Sequence, residues 1–217
     1  VLLKSNSDYF MPDGVQICLN GYAIRGVGGQ GNLFFGKVLA QVAFLAGYDD
    51  RNILKGETHG MAQMGGPVIS TFGCGEVFSP ALVPGTANVL IAMEKAEVLR
   101  PGFLDLLEPG GTVLMADTHI LPHGLKPEAY PSDEAIAAQL EGYRVVSVDV
   151  LSIALNLGDP KGRCANVAML GVLSTLPPFD VVPEAVWLQA LRGISRKPAL
   201  WDLNHAAFMA GRGMQKG

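Results

Sequence analysis

Two short stretches concentrate the residue types that could do chemistry. Lys55-Gly56-Glu57-Thr58-His59-Gly60-Met61-Ala62-Gln63-Met64-Gly65-Gly66-Pro67 joins a Glu, Thr, His, Gln set to a run of glycines. Gly26-Val27-Gly28-Gly29-Gln30-Gly31 precedes it by about one crossover. Glu57 and His59 are two residues apart, so an extended backbone puts both on one side. A carboxylate beside an imidazole raises its pKa and orients it, which makes Glu57 and His59 candidates for assisting acid–base work. The competing reading is a hydrogen-bonded loop core, in which His59 and Gln63 satisfy backbone groups that a glycine-rich turn leaves unpaired.

The first stretch is built for an anion. Gly26-x-Gly28-x-x-Gly31 has the G-x-G-x-x-G spacing between a strand and a helix. Such glycines let backbone close on a phosphate, in front of first-turn N–H groups and the helix dipole. A dinucleotide site also wants an acid at the end of the second strand. Asp49 and Asp50 precede that strand and Glu57 follows it, so the signature is incomplete. A tight turn for close helix–sheet packing explains the glycines equally well. Gln30, which no turn geometry requires, favours contact with a ligand.

The elements that must position these loops alternate. Val15 to Ile24 reads as a strand and Asn32 to Ala46 as a helix, with Phe34, Val38, Val42 and Leu45 at helical spacing. Gly47 sits where a C-cap glycine belongs. Asn52 to Lys55 is a short strand and Val68 to Phe72 a third. Ala87 to Met93 is a continuous apolar run, as in a strand buried on both faces. The pattern predicts a helix over Glu97 to Leu107, broken early by Pro101 and closed by Pro109-Gly110-Gly111, and a strand over Thr112 to Ala116. Ser132-Asp133-Glu134 opens a helix with an N-cap and an acidic first turn. Arg144 to Val150 is a strand, and helices dominate from Leu151 on, Pro183 starting one of them. The expected fold is α/β: a mostly parallel twisted sheet with helices on both faces, Rossmann-like, with a helical C-terminal region.

Composition narrows the partners. The 217 residues are 49% hydrophobic and 17% charged, with a net charge of −4. So large a core with so little charge predicts a sizeable partner interface. No Lys/Arg-rich stretch is present, which argues against nucleic acid. No apolar run is long enough to span a bilayer. Cys18, Cys74 and Cys164 are scattered and odd in number, so no cluster or zinc spacing exists and no metal site is assigned. Buried free thiols in a reducing cytoplasm fit better. Val1 to Pro12 carries no signal pattern, and the lack of an initiator Met predicts a natural start upstream.

The two glycine stretches together, in this order and spacing, resemble the 2-oxoacid:acceptor (ferredoxin) oxidoreductase family. The likeness is to its small subunit or gamma domain, above all the beta subunits of the indolepyruvate:ferredoxin enzymes. It continues through Ser79-Pro80-Ala81-Leu82, Glu94-Lys95-Ala96-Glu97, Pro109-Gly110-Gly111 and Asn166 to Gly171, covering Ile17 to about Leu191.

The resemblance implies a subunit, inactive alone, of an enzyme that oxidatively decarboxylates a 2-oxoacid to an acyl-CoA. Electrons pass to ferredoxin or a similar acceptor. Thiamine diphosphate with magnesium and 4Fe-4S clusters belong on a large partner chain: this chain lacks the family's Gly-Asp-Gly signature, and Gly158-Asp159-Pro160 is no match. CoA is the co-substrate. The residues assigned to cofactor contact are Gly28, Gly29, Gln30, Gly31, Thr58, His59, Gln63, Gly65 and Gly66. The expected organisation is an N-terminal arm over 1–14, a gamma-type domain over 15–194, and a partner-docking tail over 195–217 in which His205 docks or caps. One departure stands out: Met64 occupies the place of the family's arginine, removing a charged, bidentate contact. Two other classes compete with this reading: a stand-alone nicotinamide-dependent dehydrogenase, and an assembly module whose glycine loops only pack.

Overall fold

The computed structural model describes residues 15–22, 31–59, 67–121, 126–195 and 197–214. Six strands form one sheet: β1 (Val15–Tyr22), β2 (Ile53–His59), β3 (Pro67–Cys74), β4 (Ala87–Ala92), β5 (Leu107–Ala116) and β6 (Arg144–Val148). Their order is β2-β3-β1-β4-β5-β6. The pairs β1–β4, β4–β5 and β5–β6 are parallel, while β3 runs antiparallel to both β1 and β2. Only β3 is therefore reversed, and the sheet is mostly parallel as expected. The reversal departs from a Rossmann mononucleotide unit. Residues 60–66 between β2 and β3 are too few for a crossover, which needs a dozen or more, so the two strands pair as a hairpin.

Helices cover both faces unequally. On one face lie α1 (Asn32–Leu45), α3 (Val150–Asn156), α4 (Ala165–Leu173), α5 (Glu184–Ile194) and α6 (Pro198–Gly213). The other carries α2 (Asp133–Gln139) and two 3-10 turns, Lys95–Leu99 and Leu104–Leu106. Strand alternation divides the core accordingly. Val89, Ile91, Leu114 and Ala116 point into the larger cluster, whereas Leu90, Ala92, Val113 and Met115 point into the smaller one. Each of the larger side chains among them, Val, Leu, Ile or Met, stabilises by about 1.5–3 kcal/mol when fully buried.

Local sequence explains most boundaries. In α1, Phe35, Val38, Leu39, Val42 and Ala43 form the buried stripe. Gly47, at φ 100°, ends the helix in the left-handed conformation a C-terminal glycine permits. Ser132 Oγ accepts from Ala135 N at 3.2 Å at the start of α2. Asp149 does the same for α3, accepting from Ser152 N at 2.9 Å, and so stops β6 at Val148.

Two expected elements differ. The helix over Glu97–Leu107 is replaced by the two 3-10 turns, because Arg100, preceding Pro101, is forced extended (φ −64°, ψ 127°). Pro109-Gly110-Gly111 lies inside β5 rather than before it. Pairing jumps from Ala87–Leu107 to Val89–Thr112, and Asn88 Nδ2 bridges the irregularity by donating to Glu108 Oε1 at 2.7 Å.

The segment 195–217 carries α6, which packs against α4 within the same core. Asn204, Ala207, Phe208 and Gly211 are buried there. His205 stands in mid-helix, its ring 5.2 Å from Trp201, and not at an end of α6. Trp187 on α5 is sealed between Phe179 and Phe208 at 6.0 and 6.1 Å.

Candidate functional site

In an open α/β sheet, ligands collect at the carboxyl ends of the parallel strands, where successive connections leave in opposite directions. Here that switch lies between β1 and β4. From β1 the chain goes through α1 to β2 and β3 on one side, and from β4 to β5 and β6 on the other. Tyr22 ends β1 and is the rung partner of Pro67, which begins β3. His59 ends β2 and is paired with Val68. Both glycine-rich connections therefore lie at one end of the sheet: the first leaves β1, and the second leaves β2 and enters β3, the strand beside β1 at about 4.8 Å.

Among the residues assigned from sequence, Gly28, Gly29, Gln30, Gln63, Gly65 and Gly66, together with Met64, lie outside the described residues. Glu57, Thr58 and His59 belong to β2, not to a loop: the strand runs on to His59 where Lys55 was expected to end it. Pairing with β3 over seven rungs sustains the extension. Positions 57 and 59, two apart along one strand, thus fall on the same face, as an extended backbone requires. Glu57 is exposed.

Gly31 is the N-cap of α1, with φ 79°. A Cβ there would come within 2.1 Å of Asn166 Nδ2. Close approach to α4, a helix–helix contact and not the helix–sheet packing considered from sequence, accounts for this third glycine. Asn166 is the residue that sequence reasoning left without a role. It lies in the first turn of α4 and is 5% exposed. Its Nδ2 donates to Gly31 O at 3.3 Å. Its Oδ1 has no partner among the described residues. A buried acceptor left so costs about 1–3 kcal/mol. A polar residue opening an otherwise apolar helix was the available signal.

Glu94 is the second such residue. It follows β4, and the register Asn20–Ala92, continued two residues, sets it level with Tyr22. The side chain is wholly buried. It accepts from Ala96 N at 3.0 Å, from Ile120 N at 3.4 Å, and from the Tyr130 hydroxyl. Tyr130 in turn stacks on His119, ring centres 3.6 Å apart. One carboxyl therefore pins both described ends of the segment between β5 and α2. Burial pushes its pKa above the ordinary carboxylate value, against the lowering effect of the Tyr130 bond.

A raised folded-state pKa means the native chain holds a proton the unfolded chain has released. The associated stability is complete at low pH and is lost as pH rises through the raised value. Glu94→Gln is expected to flatten that decline. It should also lower stability by about 1–3 kcal/mol, since an amide NH2 would face the N–H donors of Ala96 or Ile120. Urea midpoints measured from about pH 4 to pH 8 test this; an equal pH slope in variant and wild type would refute it.

Next to this, Lys95 Nζ bridges Asp117 at 3.2 Å and Asp133 at 2.8 Å, lining a cavity of about 420 Å³ with Ile136, Leu140 and Ser147. Two larger grooves, about 550 and 580 Å³, share Lys37, Gln41 and Ile194 beside α1 and lie away from the carboxyl edge. Strand topology, not groove size, marks the carboxyl edge as the candidate site.

Cys74 and Cys164 are buried cysteines on separate elements, β3 and the N-cap of α4. They do not fit a four-cysteine cluster. Burial and Asp159 push the Cys164 thiol up to about 11. Among the described residues no three His, Cys, Asp or Glu side chains converge as a metal site. No described helix is long and apolar enough to cross a membrane.

The fold is an α/β domain whose candidate site lies at the carboxyl ends of its parallel strands. Residues 22–214 match the family described as pyruvate ferredoxin/flavodoxin oxidoreductase, and the chain belongs to it. Its relatives include indolepyruvate oxidoreductase subunit IorB of Archaeoglobus fulgidus, 35% identical over 154 residues (69% of this chain, 73% of that protein). The IorB subunit of Methanothermobacter thermautotrophicus is 30% identical over 194 residues, 88% of this chain and 94% of its own length. Among solved structures, a 2-oxoglutarate:ferredoxin oxidoreductase from Magnetococcus marinus, with 2-oxoglutarate, coenzyme A and succinyl-CoA bound, superposes on 94% of this chain. Its TM-score is 0.64 at 18% identity, and this chain spans 31% of its length. A keto/oxoacid ferredoxin oxidoreductase gamma subunit from Geobacter sulfurreducens covers 92%, with a TM-score of 0.60 at 20% identity. These two share the fold.

Proposed function

We propose that this chain is the small subunit of a 2-oxoacid oxidoreductase of the indolepyruvate type. A large partner subunit carries thiamine diphosphate with magnesium and the 4Fe-4S clusters. The complete enzyme converts a 2-oxoacid and CoA into an acyl-CoA and carbon dioxide. Two electrons leave through the clusters to a ferredoxin-like acceptor, and one proton is released. Thiamine, held by the partner, supplies the carbanion chemistry; this chain's part is to bind and orient the acyl acceptor. The observation that carries the reading is the common origin of both glycine segments at one sheet edge, Tyr22 beside Pro67 and His59 beside Val68.

The first-turn N–H groups of α1 attract a phosphate. The segment from Glu57 to Gly66 would complete the wall, with Glu57 and His59 assisting by hydrogen bonds. The exposed Phe78 (97% accessible) and the exposed Val83, Phe44 and Val181 support a surface covered by the partner. The segments 1–14 and 195–217 are assigned to partner contact, the latter through the outer side of α6, and the complex to the cytoplasm.

A stand-alone nicotinamide dehydrogenase is not favoured. The strand beside β1 on the α1 side is the antiparallel β3, so the β-α-β unit that grips a dinucleotide is not formed.

Purification of the native complex, with assays on aryl and alkyl 2-oxoacids, tests the proposal. Gly29→Asp combined with Gln30→Ala is expected to lower CoA-dependent turnover at least about tenfold while the subunits still copurify. Unchanged turnover would favour a purely architectural role. A single chain reducing NAD with substrate would overturn the assignment.

A further inference from the structure

Gly31 ends its loop in the left-handed conformation and opens the fourteen-residue α1 without a side-chain cap. The first turn of the helix contains no acidic residue. Beside it, α4 delivers Asn166, which is 5% exposed. One side of the amide is committed, Nδ2 donating to Gly31 O. The other, Oδ1, is a buried acceptor with no partner among the described residues. A helix N-terminus attracts an anion, and an amide oxygen accepts only from a donor. Together they ask for a ligand that places a hydroxyl or amide N–H within a few ångströms of an anionic group.

We propose that Asn166 is a ligand-binding residue: its Oδ1 accepts a hydrogen bond from a donor next to the phosphate of the acyl carrier seated at the start of α1. This rests on the reading of that edge as the CoA side. CoA meets the requirement, having a ribose hydroxyl beside a phosphate ester and amide N–H groups along its arm. Asparagine suits the position better than aspartate. It presents the same acceptor without a negative charge facing the phosphate, and only the amide can also donate to Gly31 O.

The intact complex, carrying wild-type chain, Asn166→Ala or Asn166→Ser, gives the test. The readouts are KM for CoA, KM for the 2-oxoacid, and hydrogen exchange of residues 32–35 with and without CoA. Asn166→Ala is expected to raise KM for CoA about tenfold and to leave KM for the 2-oxoacid unchanged. Serine should restore part of the loss. CoA should protect residues 32–35 in wild type and protect them less in Asn166→Ala. An unchanged KM for CoA overturns the inference. So does a parallel rise in both KM values with protection lowered equally in the presence and absence of CoA, the behaviour of a packing residue. Turnover of CoA by wild type without any protection of residues 32–35 would refute the placement of CoA at this edge, separately from what Asn166 does.

Discussion

Gly171→Leu is expected to lower stability by more than about 3 kcal/mol, the largest loss from any single change considered for this chain. α4 is buried along its length from Asn166 to Leu173, and α6 crosses it with almost no clearance. A Cβ at Gly171 would come within 2.1 Å of Phe208 O and 3.0 Å of Arg212 N. On the facing helix, a Cβ at Gly211 would meet Ala168 O at 2.0 Å. The obstructing atoms are helix backbone, which no rotamer change moves. Even alanine must force the helices apart, and their separation would loosen Phe208, which closes over Trp187. Thermal melting checks this. For a chain of this length 1 kcal/mol is worth about 2–4 °C, so the leucine variant should melt roughly 6–12 °C lower or fail to accumulate. A melting temperature within about 2 °C of wild type would show that the two helices can separate freely.

Gly31→Ala should be nearly as damaging, with the damage falling on function as well. At φ 79° an L side chain costs about 1–2 kcal/mol by itself. The added methyl would then occupy the place of the Asn166 amide, 2.1 Å from Nδ2 and 2.9 Å from Cγ. Asn166 would have to swing out and give up its bond to Gly31 O. The combined loss is about 2–4 kcal/mol, and turnover with CoA should fall at least about tenfold, because the entry to α1 and its neighbouring acceptor move together. A double-mutant cycle separates the two contributions. In Gly31→Ala with Asn166→Ala the clash is relieved while the backbone strain stays, so the two losses should be less than additive by about 1 kcal/mol or more. Additive losses would mean that the two residues do not meet.

Much of this fold was legible in the sequence because its signals are local. The cap of Ser132, the glycine that ends α1, and the apolar runs of β4 and β5 require only neighbouring residues to act, whereas Asp149, expected inside a strand, caps α3. The misreadings were local conflicts settled by pairing. Lys55 to His59 is rich in loop-forming residues, yet seven rungs with β3 hold it extended. Leu107 to Gly111 carries a proline and two glycines, yet β4 draws it into the sheet with a register jump. Pro101 was recognised as a breaker, but its hold on Arg100 dissolved the whole expected helix.

The candidate site divides in the same way. The sequence by itself determined the α/β class, the glycine motifs and their spacing, and with these the family the chain belongs to. Such motifs consist of contiguous residues whose backbone demands are written in their types. Only the tertiary structure decided that both motifs leave one sheet edge, that β3 is reversed, that α6 belongs to the core, and that Glu94 and Asn166 stand beside the crevice. Asn166 and Gly31 are far apart in the chain, and nothing local to either one specifies the other. Their contact exists because α4, locked against α6 through Gly171 and Gly211, can meet the start of α1 in only one place.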